Sequence, residues 1–310
     1  MGENFLVRQP RARGDEPTPE QTLVKLTASD AAAGEGFGAS VASSGGVIAI
    51  GAPGGGTGRT NGKVYVFERV DGEWMQQAIL TAGDGQAGDQ FGYSVSVSGA
   101  RIGVGSPGDD DGGFASGSTY LFERNEGGTG EWRQTAKLSP SKPAPTRQFG
   151  QSISISGDRL VVGQQLDDDS GRSPGSAYVF EMEAGEGSQW REAATVSAPD
   201  ATRSNAFGSA VAISEDLLLV GAFGDQDGGL AAGSAYVFER SRGDQPWGHV
   251  EKLKAADPKA GDNFAISVSV SEGRAVAGSP FDDDKADGSG SAHVFEQDEG
   301  GESRWGRAPS

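Results

Sequence analysis

Residues of opposite character alternate along this chain in short bursts. In Ser94-Val95-Ser96-Val97-Ser98 every second side chain is apolar. That period of two predicts a strand with one packed face and one small, polar face. A brief turn follows, and Ile102 to Gly105 then reads as a short apolar strand. A third run, Tyr120-Leu121-Phe122, is apolar on both faces, so both faces must be covered. A fourth run starts at Trp132 and ends at Leu138. No stretch carries a convincing helical period, so the chain reads as all-β.

This four-run unit repeats. Phe-Gly stands at 37–38, 91–92, 149–150 and 207–208, and Phe264-Ala265 continues the series at steps of 54 to 58 residues. Behind each comes a Gly-x-Pro-like element: Gly51-Ala52-Pro53, Gly105-Ser106-Pro107, Gly163-Gln164-Gln165, Gly221-Ala222-Phe223 and Gly278-Ser279-Pro280. Next is an aromatic strand, YVFER from Tyr65, YLFER from Tyr120, YVFEM from Tyr178, YVFER from Tyr236 and HVFEQ from His293. A tryptophan opens the last run of each unit: Trp74, Trp132, Trp190, Trp247 and Trp305.

Four-stranded units of this length, needing cover on both faces, predict a β-propeller whose sheets stack around an axis. We therefore expect a five-bladed propeller of four-stranded antiparallel blades over residues 22–310, with a tail at 1–21. The repeats start near 37, 91, 149, 207 and 264. The small positions Ser40, Ser94, Ser152, Ala210 and Ser267 belong where blades converge, and each repeated Phe is a wedge between blades. Thr22-Leu23-Val24-Lys25-Leu26 aligns with the strand ending at Leu80, so this N-terminal strand is expected to complete the fifth sheet and close the ring. Closure would remove an exposed edge.

Glycine is 51 of 310 residues, about twice its usual share, which agrees with many tight turns. There are 26 basic and 44 acidic side chains, a formal net charge of −18. Nucleic acid and anionic membrane surfaces are repelled by such a balance, so neither is the expected partner. No apolar run approaches the ~20 residues of a membrane span, and no membrane insertion is expected. The absence of cysteine excludes disulfides, thiolate metal sites and a cysteine nucleophile. The segment MGENFLVRQPRARG has no apolar signal core. Either the protein stays inside the cell or its export signal is not part of this sequence.

The motifs FGxSV, VGxP and GSxYVFER resemble the FG-GAP repeat of integrin alpha-chain propellers, in a bacterial-type variant with a short turn between the first two strands. The resemblance covers about residues 22–308. It implies extracellular or cell-surface adhesion, ligand binding or scaffolding rather than catalysis, with a protein or glycan ligand and a monomeric chain. The integrin pattern also carries a calcium loop between its first two strands. Here that turn is only Ser98-Gly99-Ala100-Arg101 or Ser156-Gly157-Asp158-Arg159, so those ligands do not transfer. Arg13-Gly14-Asp15, in the expected tail, matches an integrin-ligand tripeptide; a chance match is the simpler reading.

Strands alternate direction within a sheet, so the second-to-third (B–C) and fourth-to-first (D–A) loops emerge at one end of the ring. These loops hold 19 acidic and 8 basic residues, so charge gathers on one face. Asp109, Asp111, Asp167, Asp169, Asp225, Asp227, Asp282 and Asp284 are the candidate metal ligands, with calcium the candidate cation, because calcium takes six to eight oxygens and paired carboxylates supply some. Asp84, Asp200 and Asp257, each seven residues before its Phe (or Phe-Ala), could add more. The plainer role for these aspartates is to cap turns and keep the loops soluble.

Other candidates are weaker. Glu68, Glu123, Glu181, Glu239 and Glu296 could suggest a glycosidase pair, but five equivalent copies suit pairing with the adjacent Arg69, Arg124 or Arg240 better. The tryptophans could stack on sugars, which makes a multivalent lectin the main alternative, against simple packing on the sheet. His249 and His293 occupy unrelated positions. An enzyme would need one unit with a unique constellation, and no nucleophile–base pair is visible.

Overall fold

The computed structural model describes residues 23–54, 60–125, 130–166, 174–183, 189–200, 204–240, 246–297 and 305–307. The tail expected at 1–21, with Arg13-Gly14-Asp15, and the candidate ligands Asp167 and Asp169 lie outside them. Five four-stranded antiparallel sheets form the blades of a propeller. Blade 1 holds β1 (Ser40–Ser44), β2 (Val47–Ala52), β3 (Lys63–Val70) and β4 (Glu73–Leu80). Blade 2 holds β5 (Ser94–Ser98), β6 (Arg101–Ser106), β7 (Ser118–Arg124) and β8 (Trp132–Leu138). Blade 3 holds β9 (Ser152–Ser156), β10 (Arg159–Gln164), β11 (Ser176–Glu183) and β12 (Gln189–Val196). Blade 4 holds β13 (Phe207–Ser214), β14 (Leu217–Ala222), β15 (Ser234–Arg240) and β16 (Trp247–Leu253). Blade 5 holds β17 (Ser267–Ser271), β18 (Arg274–Ser279), β19 (Ser291–Gln297) and β20 (Trp305–Arg307).

The period-two strands lie innermost: β1 packs on β5, β5 on β9, β9 on β13 and β13 on β17. The apolar third strands are buried on both faces, as the sequence requires; Val66, Leu121, Val179 and Val237 are inaccessible to solvent. Apolar clusters fill the space between successive blades, and each tryptophan packs into one of them. Phe91, Phe149, Phe207 and Phe264 are fully buried. Phe149 meets Tyr178 and Phe180 edge-on, with ring centroids 5.5 and 5.9 Å apart.

Blades converge where side chains are smallest. A Cβ on Gly105 would stand 2.0 Å from the carbonyl oxygen of Gly150, and Gly51, Gly163 and Gly221 meet the next blade's backbone in the same way. Beside them, the hydroxyls of Ser40, Ser94 and Ser152 donate to the carbonyls of Gly92, Gly150 and Gly208 at 2.7 to 2.8 Å.

The fifth sheet corrects one expectation. Its fourth strand is β20, not the N-terminal segment, and residues 23–28 form no strand. β20 already occupies the β19 edge opposite Phe295, Glu296 and Gln297. The N-terminal segment lays Leu26 and Ala28 against Ile50 and Tyr65 of blade 1, where Leu80 and Ala82 stand against blade 2. Leu23 is 96 % exposed. Among the described residues no comparable packing joins β17 to β1.

Candidate ligand-binding face

Two loop families meet at one end of the blades, as the alternating strand directions require. Three of the D–A loops close on a carboxylate two residues before the repeated Phe. Glu35, Asp89 and Asp262, all buried, accept the backbone N–H groups of Ala32, Gln86 and Lys259 at 3.0, 2.6 and 2.8 Å. Burial holds the Asp89 carboxyl above the ordinary aspartate range, although the Gln86 N–H opposes this. Between these residues and the Phe the backbone turns left-handed, at Gln90, Gln148, Ala206 and Asn263.

The first aspartate of three B–C loops anchors its loop. Asp109 accepts hydrogen bonds from the Asp111 N–H at 3.2 Å, the Ser118 hydroxyl at 3.0 Å and the Tyr120 hydroxyl at 2.8 Å. Asp225 repeats this with Asp227, Ser234 and Tyr236, and also receives the Asn205 amide. Asp282 takes the Asp284 N–H and the Ser291 hydroxyl. All three are buried. These contacts tie each aspartate to its own loop and to the third strand that follows.

A lysine ammonium stands among the remaining carboxylates. Lys137 Nζ lies 2.7 Å from Asp84, 3.0 Å from Asp109 and 2.5 Å from Asp111. Lys252 Nζ lies 2.6 Å from Asp200, 3.2 Å from Asp225 and 3.5 Å from Asp227. Burial alone would lower the Lys137 and Lys252 pKa values, but the hydrogen bonds that they donate to their aspartates win and hold both above the usual lysine range. Burial likewise opposes ionisation of Asp84 and Asp200, yet their lysine and tyrosine partners hold both carboxyls below the ordinary range. Blade 1 builds the same arrangement differently: Lys63, at the position of Ser118 and Ser234, reaches Asp30 and Glu35 at 2.8 and 2.7 Å. In blade 5, Lys259 bonds Asp284 at 2.5 Å, and Ser291 bridges Asp282 and His293.

The structure thus brings Asp84 to Asp109 and Asp111, and Asp200 to Asp225 and Asp227, as the spacing predicts. Among the described residues no group of three or more His, Asp or Glu side chains is arranged to hold a metal ion. Sequence reasoning missed the lysines. Their signal is a Lys five residues after the tryptophan, present in two of the five units.

Apolar side chains crown the same face. Phe114 is 76 % and Leu230 70 % exposed, at equivalent positions of two B–C loops. Each is followed by an alanine in the left-handed region, Ala115 at φ 48° and Ala231 at φ 54°. Neighbouring D–A loops brace these tips: the Thr146 N–H donates to the Phe114 carbonyl and the Gly261 N–H to the Leu230 carbonyl. Phe281 and Leu166 add exposed apolar surface at a second equivalent position.

Three of the five repeated glutamates join blades, while Glu123 and Glu296 pair with Arg101 and Arg274 of their own blades. Glu68 bonds Arg124 of the next blade at 2.8 Å and receives the Trp132 indole N–H at 3.1 Å. Glu181 meets Arg240 likewise, and Glu239 receives the Gln297 amide at 2.9 Å. At this opposite end, equivalent clefts of about 370 and 310 Å³ open between blades 3 and 4 and between blades 4 and 5, lined by Arg159 with Glu181 and by Arg240 with Glu239.

A family model described as FG-GAP repeat matches residues 21–67, 74–122, 132–180, 190–238 and 247–295. Each match after the first begins at or near a tryptophan-led fourth strand and ends in the third strand of the following blade. No curated protein matches the chain significantly.

Proposed function

The chain belongs to the FG-GAP repeat family, and from that premise we propose that it is a non-catalytic binding scaffold whose D–A and B–C loop face captures a protein ligand. The family is typically non-catalytic and often extracellular, which fits adhesion at or outside the cell surface. One observation carries the reading: Phe114 and Leu230 project from equivalent loops amid aspartates. An isolated exposed apolar residue needs no explanation, but a rigid apolar tip repeated around an acidic rim is how interfaces look before they are filled. Left-handed alanines behind the tips are local strain of the kind retained at binding sites. The ligand's matching chemistry is apolar side chains flanked by lysine or arginine. Calcium or another divalent cation would have to compete with Lys137 and Lys252 for the carboxylates.

The equivalent clefts between blades support a second reading, a lectin, because their charged lining suits hydroxyl-rich ligands. One experiment separates the two. The protein is screened against a library of basic, apolar peptides and against a glycan array, with and without calcium. Peptide binding that weakens with salt and is lost in Phe114→Ser/Leu230→Ser supports the proposal. Glycan binding that survives that double substitution but is lost in Arg159→Ala/Arg240→Ala establishes the lectin instead.

A further inference from the structure

Each of the first four blades hands its rear face to the next, and blade 5 presents that same face to solvent. Val294 corresponds to Val66, Leu121, Val179 and Val237, which are all inaccessible, yet Val294 is 41 % exposed. Val276 is 38 % exposed, whereas its counterparts Ala49, Val161 and Leu219 are buried. Four backbone bridges run from one blade to the Phe of the next: Gly62 to Phe91, Gly117 to Phe149, Gly175 to Phe207 and Gly233 to Phe264. Among the described residues Gly290, next in that series, has no such bridge. A Cβ on Gly278 would meet only Ser267 of its own blade. Glu296, the counterpart of Glu68, pairs with Arg274 of its own blade, as Glu123 does with Arg101 inside the array.

The complement of this face is at the other end of the same chain. Val41 corresponds to the buried Val95, Ile153 and Val211, and is 67 % exposed. Phe37 is only half-buried, unlike the four inaccessible Phe residues. Arg69, the counterpart of Arg124 and Arg240, is exposed and donates to the Gly72 carbonyl.

We propose that the open face of blade 5, formed by Val276, Ala292, Val294 and Glu296, docks the open face of blade 1 of a second copy of this chain, head to tail. The internal interfaces specify the contacts. Phe37 of the incoming copy lies against Gly290, its Gly38 carbonyl accepts the Ser267 hydroxyl, and its Arg69 pairs with Glu296. Val41 covers the apolar patch, as Val95 does inside the molecule. The contact is heterologous: it uses two different faces, so a pair of copies keeps one of each free, and assembly either closes into a ring or extends. This arrangement is an alternative to the monomer expected from the sequence.

The test is light scattering on the size-separated full chain over a range of concentrations, with Val41→Asp and Val294→Asp. Mass should rise with concentration. Either substitution alone should weaken association by at least about tenfold, since it buries an unpaired charge in the contact. Val41→Asp keeps the blade 5 face and Val294→Asp keeps the blade 1 face. Their mixture should therefore form a one-to-one pair that grows no further. Circular dichroism checks that both variants fold, and Val41→Ser and Val294→Ser serve where they do not. A chain that stays monomeric to its solubility limit overturns the proposal, whether its two faces close on each other or the chain's own N-terminal residues cover them. So does association that neither substitution touches, or a mixture that fails to pair.

Discussion

At the residue scale, the ammonium groups decide what the acidic loops can do. Lys137 and Lys252 each contact three aspartates and offset part of their charge. Asp84 and Asp200 ionise below their ordinary value of 3.8 because of these partners, in spite of burial. A carboxyl with a lowered folded pKa contributes stability that is present above its unfolded pKa and is lost as pH falls through the folded value. In Lys137→Met/Lys252→Met that contribution disappears and the aspartates repel one another. The melting temperature of the double variant should therefore fall furthest below the wild type near neutral pH. The gap should narrow as pH drops below about 4, where the carboxylates of both proteins protonate. A constant gap from pH 7 to pH 2 would show that the lysines act through packing alone. The same variant should gain more melting temperature from millimolar calcium than from sodium chloride of equal ionic strength, because a divalent cation takes the vacated place; the wild type should respond less. The aspartates were legible as clusters, Asp109-Asp110-Asp111 and Asp225 with Asp227. The lysines were not, because they reach those clusters from a fourth strand across the sheet and carry no local pattern of their own.

At the element scale, repetition made the blades readable, and four strands per unit followed from where apolar residues alternate and where they run together. Pairings between blades were less legible. Glu68 stands beside Arg69 in sequence, yet successive residues of a strand point to opposite faces, and its partner is Arg124 of the next blade. The bulge between Val66 and Phe67, repeated in blades 2, 3 and 4, also leaves no mark in composition. Two substitutions test the packing of these elements. Phe149→Ala should cost about 3–5 kcal/mol in a denaturant titration, the range for a buried Phe. An effect below about 1 kcal/mol, near the mean of all point mutants, would contradict its buried edge-on packing. Gly105→Ala should destabilise strongly, because the new methyl meets backbone that cannot move aside. Gly278→Ala should be far milder, since only the Ser267 hydroxyl must rotate away. Equal losses at the two glycines would mean that blade 5 is covered like the others.

At the scale of the whole molecule, the described residues form a series of blades in which each packs on its neighbours. Stability in such arrays is close to a sum of unit and interface contributions. Blade 3 has two complete interfaces and blade 5 has one. Amide exchange at a concentration where the chain is monomeric should therefore be slowest in β10 and β11 and fastest in β18 and β19. Uniform protection would signal one cooperative ring. The direction of this gradient escaped sequence reasoning, because Leu23 to Leu26 resembles a closing strand and only the geometry shows it making none. The glycine-to-carbonyl contacts bear on ancestry as well. Gly51, Gly105, Gly163 and Gly221 each meet the next unit through main-chain atoms, which every unit offers whatever its side chains. Duplication or loss of one whole repeat in the gene would thus recreate a working junction without any compensating substitution. Unit number in this lineage is then free to change in single steps, while the loops that face a ligand diverge on their own.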